Sequence, residues 1–313
     1  MNQLKDKKNI GLLMIVASMV LWGLSGPVIE WLFMHTKIQP VELLTLRLIT
    51  AGLFILLYLG LKGEDIWSIW KQPRQFIPLL AFGLLGMLGA QYAFIVTLDV
   101  SNAVTATLFQ FLGPVLITIY AVVQQKKLPT KIQATAVCAA LVGVYFLVTN
   151  GAPDRILLSS EGIFWGAMTA IGFAYYTVCP TQMIKEWGAS VIVGWGMLIG
   201  GVGISIINPA LLKDGTLLLV GTKMMILVAI VVVMGILAFL LYIGSLRYVA
   251  PSKAGLLSSI EPLVTFIAAI GWLKQSFGIY QIIGGICIVA TVILLAREEE
   301  EQPEFHLETS NIN

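Results

Sequence analysis

Long apolar stretches separated by short polar segments run along almost the whole chain of 313 residues. A helix needs about 20 consecutive apolar residues to cross a hydrocarbon core of ~30 Å, and ten stretches come close to that length. The short connections predict that consecutive helices pack antiparallel. The ten predicted spans are residues 9–32, 38–61, 76–98, 100–124, 132–149, 162–183, 189–208, 224–246, 253–273 and 276–296.

The composition supports the same interpretation. The chain is 58% hydrophobic and 12% charged, whereas a soluble domain carries about 25% charged residues. So little polar surface predicts an all-α integral membrane protein with the lipid bilayer as its first partner. A net charge of +2 gives no reason to expect nucleic acid as a partner. No cofactor or metal is predicted, because the three cysteines have no metal-ligand spacing.

The lysines and arginines divide unequally between the two sets of loops. Thirteen of the 19 lie in the set that contains both termini, five lie in the other set, and Arg47 lies inside a span. The positive-inside rule therefore places both termini in the cytoplasm. This predicts a multi-pass protein of the cell membrane.

A stretch of the chain occurs twice. Residues 106–148 align without a gap on residues 254–296, and each copy is an apolar run containing a proline, a short basic turn and a second apolar run. Five predicted spans separate the copies. Because five is odd, the second copy enters the membrane upside down, as in transporters built from inverted repeats. The matched polar and special residues are Pro114 with Pro262, Lys126 with Lys274, and Gln133 with Gln281.

The repeat predicts three parts of the chain. Residues 1–150 form a first five-helix repeat, residues 151–298 form a second, inverted five-helix repeat, and residues 299–313 form a polar, acidic cytoplasmic tail. Two inverted halves are typical of a secondary transporter that binds its substrate between them near the membrane midplane.

These features resemble the EamA-type family of drug/metabolite transporters. The resemblance covers nearly the whole chain, and its motifs are Leu21-Trp22-Gly23, Pro40 followed by Arg47, Gly113-Pro114, Glu261-Pro262, and the helices that begin near Gln133 and Gln281. Where the family often has a glutamate after the proline helix, this chain has Lys126 and Lys274. The resemblance implies export of small organic metabolites, such as amino acids, through a cavity between the halves.

Two charged residues lie inside predicted spans. Arg47 is a candidate anchor for a substrate carboxylate, because an arginine in the membrane usually faces a cavity or a partner. The alternatives are a structural pair with an acid and snorkelling to the interface. Glu261 is a candidate proton carrier or a fixed counter-ion for Arg47. Glu30 and Glu42 are expected at the outer rim, in contact with water.

A band of polar and aromatic residues falls near the middle of the predicted spans. Such groups need partners in hydrocarbon, so they are candidates for lining an interior cavity or for joining helices to one another. Pro114 and Pro262 are candidate hinges, the alternative being static kinks. The band comprises Trp22, Ser25, Gln91, Tyr92, Gln110, Tyr175, Tyr176, Ser258 and Ser259.

The sequence leaves three function classes to weigh. A self-sufficient secondary transporter is favoured by the inverted repeat, and its expected partners are a small-molecule solute, with protons and a second copy of the chain as open candidates. A permease subunit of an ATP-driven complex would need a partner chain, since no nucleotide motif is present. A membrane-embedded enzyme is disfavoured, because no metalloprotease or serine-hydrolase motif occurs.

Overall fold

The computed structural model describes residues 2–126, 128–152, 154–208, 221–245, 248–249, 254 and 257–301. Over these residues the protein is all-helical, and no strand occurs among them. The helices are α1 Asn2–His35, α2 Pro40–Leu61, α3 Pro73–Ala81, α4 Gly89–Val100, α5 Ala103–Gln110, α6 Gly113–Gln125, α7 Lys131–Thr149, α8 Ser160–Val178, α9 Thr181–Trp187, α10 Ala189–Ile207, α11 Thr222–Ser245, α12 Ile260–Gly271 and α13 Ile279–Glu301.

Eight helical segments are long and apolar enough to cross a membrane. One consists of α3, the π-helical stretch Phe82–Leu88 and α4, and another consists of α5 and α6. Helices α8 and α9 meet at a bend of 41° and make a ninth segment if the two are one span. The chain is therefore a multi-pass membrane protein.

The count of ten spans stays a prediction. The stretch predicted at 253–273 is described chiefly as α12, an apolar helix of 12 residues, and part of the segment before it lies outside the described residues. The predicted tail also lies outside them, except that α13 continues to Glu301.

The most extensive packing joins helices before residue 150 to helices after it. Helix α7 packs on α13, α2 on α10, α1 on both α11 and α12, and α4 on α8; α8 also packs on α5 and α6, and α5 packs on α12. The first five helical segments and those that follow are thus interleaved, so the interior of the bundle is built by both.

The crossing of α7 and α13 depends on two facing glycines. A Cβ atom at Gly143 would lie 2.9 Å from the carbonyl oxygen of Gly284, and a Cβ atom at Gly284 would lie 2.6 Å from that of Gly143. Without side chains the backbones approach closely, which is how small residues support helix packing in membranes.

The matched residues of the repeated stretch have matching local structure. Lys126 and Lys274 both adopt a left-handed backbone conformation, with φ of 51° and 56°, which is uncommon for a residue other than glycine. The side-chain oxygens of Gln133 and Gln281 each accept a hydrogen bond of 3.0 Å from the backbone N–H three residues earlier. In both copies a left-handed lysine therefore lies in the turn, and the second helix begins in the same way.

Candidate functional site

A cavity of about 520 Å³ lies within the bundle, a volume in the usual range for small-molecule sites of roughly 300–1,000 Å³. Helices before and after residue 150 line it, and nine of the thirteen residues predicted as cavity-lining, coupling or hinge residues lie on its wall. They are Trp22, Ser25, Arg47, Gln91, Gln110, Pro114, Tyr176, Ser258 and Glu261.

Arg47 and Glu261 are the only charged side chains among the described residues that line the cavity. Glu261 is 9% exposed, and Arg47 is partly buried. Neither side chain makes a hydrogen bond or an ion pair with another described residue, so the two do not pair with each other in this structure. The cavity therefore offers one guanidinium group and one carboxyl group to a ligand.

Arg47 is held in place by the start of α2. Gln39 and Glu42 form a capping box at the N-terminus, and Pro40 occupies the first helical position, where its missing N–H costs no hydrogen bond. Two turns later the guanidinium crosses towards α11. A guanidinium nitrogen lies 4.0 Å from the place that a Cβ atom at Gly235 would occupy, so the glycine leaves room for the arginine.

Helix α12 is docked on α1 directly beside Glu261. A Cβ atom at Gly23 would lie 2.7 Å from the backbone oxygen of Glu261, which brings the two backbones into contact. The hydroxyl of Thr265 donates a hydrogen bond of 3.0 Å to the carbonyl oxygen of Gly23. That carbonyl lacks its usual helical donor because Pro27, four residues on, has no N–H. The hydroxyl thus satisfies a polar group that hydrocarbon would leave unpaired.

Aromatic rings form much of the remaining wall. Trp22 of α1 and Tyr242 of α11 lie with ring centroids 5.6 Å apart, and both line the cavity together with Glu261. On another part of the wall, Tyr176 stacks against Phe82 at 5.9 Å and lies 6.1 Å from Phe173. The faces of these rings attract cations as well as apolar groups.

Both predicted hinge prolines follow a break in their helical segment. A turn separates α5 from α6 just before Pro114, and Ser259 forms a turn just before α12, whose third residue is Pro262. A proline cannot donate to the carbonyl four residues earlier. Those two carbonyls belong to Gln110 and Ser258, which are matched in the repeat and both line the cavity.

Four predicted residues do not line the cavity, namely Tyr92, Tyr175, Ser259 and Pro262. Tyr92 packs at the contact of α4 and α8, where its ring lies 5.4 Å from that of Trp165. Pro262 is buried beside Glu261 in the first turn of α12. Conversely, the predictions missed Tyr242, whose hydroxyl is the kind of group that hydrocarbon disfavours. Tyr242 lies near the end of the predicted span 224–246, outside the mid-span band from which the candidates were taken.

The expectation that Glu30 and Glu42 contact water at the rim is wrong. Glu30 is 6% exposed and Glu42 is fully buried. Each carboxylate accepts a backbone hydrogen bond at a helix N-terminus, from Ala103 at 2.8 Å and from Gln39 at 3.0 Å. Burial is tolerable because a helix N-terminus favours negative charge.

Known proteins share this sequence pattern over the whole bundle. The sequence model described as the EamA-like transporter family matches residues 9–149 and, a second time, residues 160–297. The chain belongs to the EamA-like transporter family. The two EamA matches fall on either side of the polar segment between α7 and α8 and together include every residue of the cavity wall.

Individual relatives agree with the EamA assignment. The chain is 32% identical over 293 residues to the uncharacterized inner membrane transporter YicL of Salmonella typhimurium, covering 93% of this chain and 97% of that protein. It is 24% identical over 251 residues to the uncharacterized transporter YyaM of Bacillus subtilis, covering 78% and 80%. This EamA protein is accordingly a membrane transporter.

A solved crystal structure of another protein has the same fold. It matches with a TM-score of 0.59 and 20% sequence identity, covering 95% of this chain and 99% of that one. At 20% sequence identity, this match shows a shared fold and carries no information about function.

Proposed function

We propose that the protein is a secondary active transporter that exports small organic zwitterions, such as amino acids, by alternating access around the central cavity. The observation that carries this proposal is the pair of charges on the cavity wall. Arg47 and Glu261 both face the cavity without a bonded partner among the described residues. A charge placed inside a membrane is expensive, so two such charges favour a ligand that neutralises both.

The packing supports two inverted repeats with boundaries at residues 1–150 and 151–298. In chain order, α1 corresponds to α8, α2 to α10, α4 to α11, α5 and α6 to α12, and α7 to α13. The α1–α11 contact then has its counterpart in the α8–α4 contact, and the α1–α12 contact has its counterpart in the contacts of α8 with α5 and α6. The α7–α13, α2–α10 and α5–α12 contacts each join a helix to its own counterpart. A pseudo-two-fold axis in the membrane plane requires this relation, and rocking of the halves about it gives alternating access.

The two ends of the substrate find different partners. The guanidinium of Arg47 takes the carboxylate, since arginine binds carboxylates through charge-assisted hydrogen bonds. The ammonium group lies between the carboxylate of Glu261 and the rings of Trp22 and Tyr242, which add cation–π attraction. The proline-freed carbonyl of Ser258 is a further acceptor on this side. The aromatic wall then covers the apolar part of the substrate.

Glu261 also couples transport to protons in this proposal. A carboxylate that binds the substrate ammonium cannot hold a proton at the same time, and a protonated carboxyl binds the ammonium less well. Substrate and proton therefore displace each other at one group, which links their movements in opposite directions. A neutral amide at this position breaks the link.

The position of the cavity supports export. Its wall extends towards the end of the bundle where α2 ends and α10 begins, through Ile55, Pro180 and Val193. The distribution of lysines and arginines makes that end cytoplasmic. A cavity that extends towards the cytoplasm is ready to take its substrate from there.

Flux and binding measurements on the purified protein test the proposal. A thermal-shift screen of amino acids, nucleosides and sugars should single out zwitterionic amino acids. In vesicles that contain this protein alone, a pH gradient should drive flux of the selected compound, and Glu261→Gln should abolish the proton-driven part. Glu298→Gln is the matched control, because Glu298 is a buried carboxyl on α13 that does not line the cavity.

Full proton-driven flux in Glu261→Gln would refute the coupling role. Binding of sugars or nucleosides in place of amino acids would refute the substrate class. Flux that appears only with ATP and a second subunit would replace the secondary transporter by the ATP-driven alternative.

A further inference from the structure

Glu30 is a buried carboxyl that substrate binding does not use. It lies on α1 a turn and a half beyond Ser25, the last residue of α1 on the cavity wall. One carboxylate oxygen accepts a hydrogen bond of 2.8 Å from the backbone N–H of Ala103, the first residue of α5. The other accepts a hydrogen bond from the side-chain amide of Gln275, just beyond α12. One side chain thus joins three separate parts of the chain.

The three helices that meet at Glu30 pack on one another in all three combinations, α1 with α5, α1 with α12, and α5 with α12. A Cβ atom at Gly26 would lie 3.3 Å from the Cβ of Ala103, so α1 and α5 are already close one turn before Glu30. On the far side, the rings of Trp31 and Trp272 stack across α1 and the end of α12 with centroids 6.3 Å apart.

The cavity stops short of this junction on all three helices. Helix α1 lines it with Trp22 and Ser25, α5 with Gln110 at its far end, and the α12 region with Ser258 and Glu261. The distance from Ser25 to Glu30 is five residues, or about 7.5 Å along the helix at 1.5 Å per residue. The part of the bundle between the cavity and this end is therefore closed where Glu30 makes its bonds.

We propose that Glu30, Ala103 and Gln275 form a latch that holds the cavity closed at the end of the bundle where α1 and α12 end. Helices α1 and α5 belong to the first half of the chain and α12 to the second, so the bond between Glu30 and Gln275 crosses between halves. Opening of the cavity at this end separates α1 from α12, and that separation breaks the bond. The latch rests on the alternating-access part of the proposed function and adds to it a named group that sets the balance between the two states.

The latch sets this balance through the hydrogen bond from Gln275 to Glu30, which exists in the closed state alone. The bond from Ala103 lies within the first half and holds the carboxylate in place. Hydrogen bonds to a charged group are stronger than those between neutral groups. Loss of this one bond should favour the open state by roughly tenfold or more, whether Glu30 or Gln275 is replaced. The only side-chain partner of Gln275 among the described residues is Glu30. The effects of replacing Glu30 and of replacing Gln275 should therefore not add in the double variant.

A labelling experiment tests the latch without transport. In a variant that lacks Cys138, Cys179 and Cys287, a reporter Gln110→Cys is placed on the cavity wall, and the protein is reconstituted in vesicles. A membrane-impermeant thiol reagent is then applied from each side. The reporter should react mainly from the side of the chain termini. Glu30→Ala and Gln275→Ala should each raise the reaction rate from the opposite side by roughly tenfold or more, because each removes the same bond.

The matched control is Gln281→Ala. Gln281 also uses its amide near this end of the bundle, accepting from Gly278 N–H and donating to the carbonyl of Leu147 at 3.3 Å, but it joins α13 to α7 and not α1 to α12. The labelling rate of the Gln281→Ala variant should equal that of the reporter protein without this substitution. The double variant Glu30→Ala with Gln275→Ala should behave like Glu30→Ala.

Unchanged labelling in a folded Glu30→Ala protein, or equal acceleration by Gln281→Ala, would overturn the latch. If Glu30→Ala does not fold, Gln275→Ala decides alone, since it leaves the bond to Ala103 intact. The reporter needs no substrate. A failed latch with intact proton-driven flux refutes this inference alone, and a confirmed latch without amino-acid binding refutes the proposed substrate alone.

Discussion

Replacement of Arg47 by methionine is expected to change stability and binding in opposite directions. Arg47 has no bonded partner among the described residues, and it lies seven residues, about 10 Å, into α2. An arginine at the centre of a membrane helix costs about 2.5–3.5 kcal/mol on insertion scales. At this shallower depth, removal of the charge should stabilise the ligand-free protein by about 2 kcal/mol. With about 2–4 °C per kcal/mol, Tm should rise by about 4–8 °C.

The same substitution should weaken substrate binding. The lost charge-assisted hydrogen bonds contribute about 1.5–3 kcal/mol, which corresponds to a rise in Kd of roughly 10- to 150-fold. Thermal unfolding without ligand gives the first quantity. Calorimetric titration with the amino acid that most stabilises the wild-type protein gives the second. Arg155→Met, at an exposed loop position, is the control and should change neither.

The structural-pair interpretation of Arg47 predicts the reverse result. Removal of one partner of a buried ion pair destabilises a protein by about 3–5 kcal/mol, so Tm should then fall by more than about 6 °C, at about 2–4 °C per kcal/mol. A lower Tm together with unchanged binding would refute both the expected gain in stability and the role of Arg47 as an anchor for the substrate carboxylate.

Two packing predictions follow from the helix crossings. Gly143→Ala should lower the free energy of unfolding by about 1–3 kcal/mol, because its Cβ would lie 2.9 Å from the carbonyl oxygen of Gly284. Thermal unfolding measures the effect, and Gly271→Ala is the control because Gly271 has open space around it. Equal Tm values for the two variants would contradict the prediction. Thr265→Val should lower the free energy of unfolding by about 1 kcal/mol, because it removes the hydroxyl that donates to the carbonyl oxygen of Gly23. Thr265→Ser keeps a hydroxyl and should have the Tm of the wild-type protein. Equal Tm values for the valine and serine variants would show that this hydrogen bond contributes nothing.

Much of the site could be predicted because hydrocarbon penalises polar groups wherever they occur. Arg47, Gln110 and Glu261 were singled out as polar residues inside predicted spans, and all three line the cavity. The spacing of the repeat likewise predicted that Lys126 and Lys274 occupy equivalent turns, and both have the same left-handed backbone. These properties follow from residue type and position along the chain, which the sequence contains in full.

The sequence by itself determined that the chain crosses a membrane repeatedly, that a stretch of it is repeated, and which polar side chains need partners. Only the tertiary structure decided which partner each receives, because that depends on the rotation of each helix and on the helix packed against it. Tyr92 and Tyr176 look alike in the sequence, yet Tyr92 packs on Trp165 and Tyr176 faces the cavity. Glu30 was expected at a wet rim. The packing of three helices around it makes it a buried junction instead.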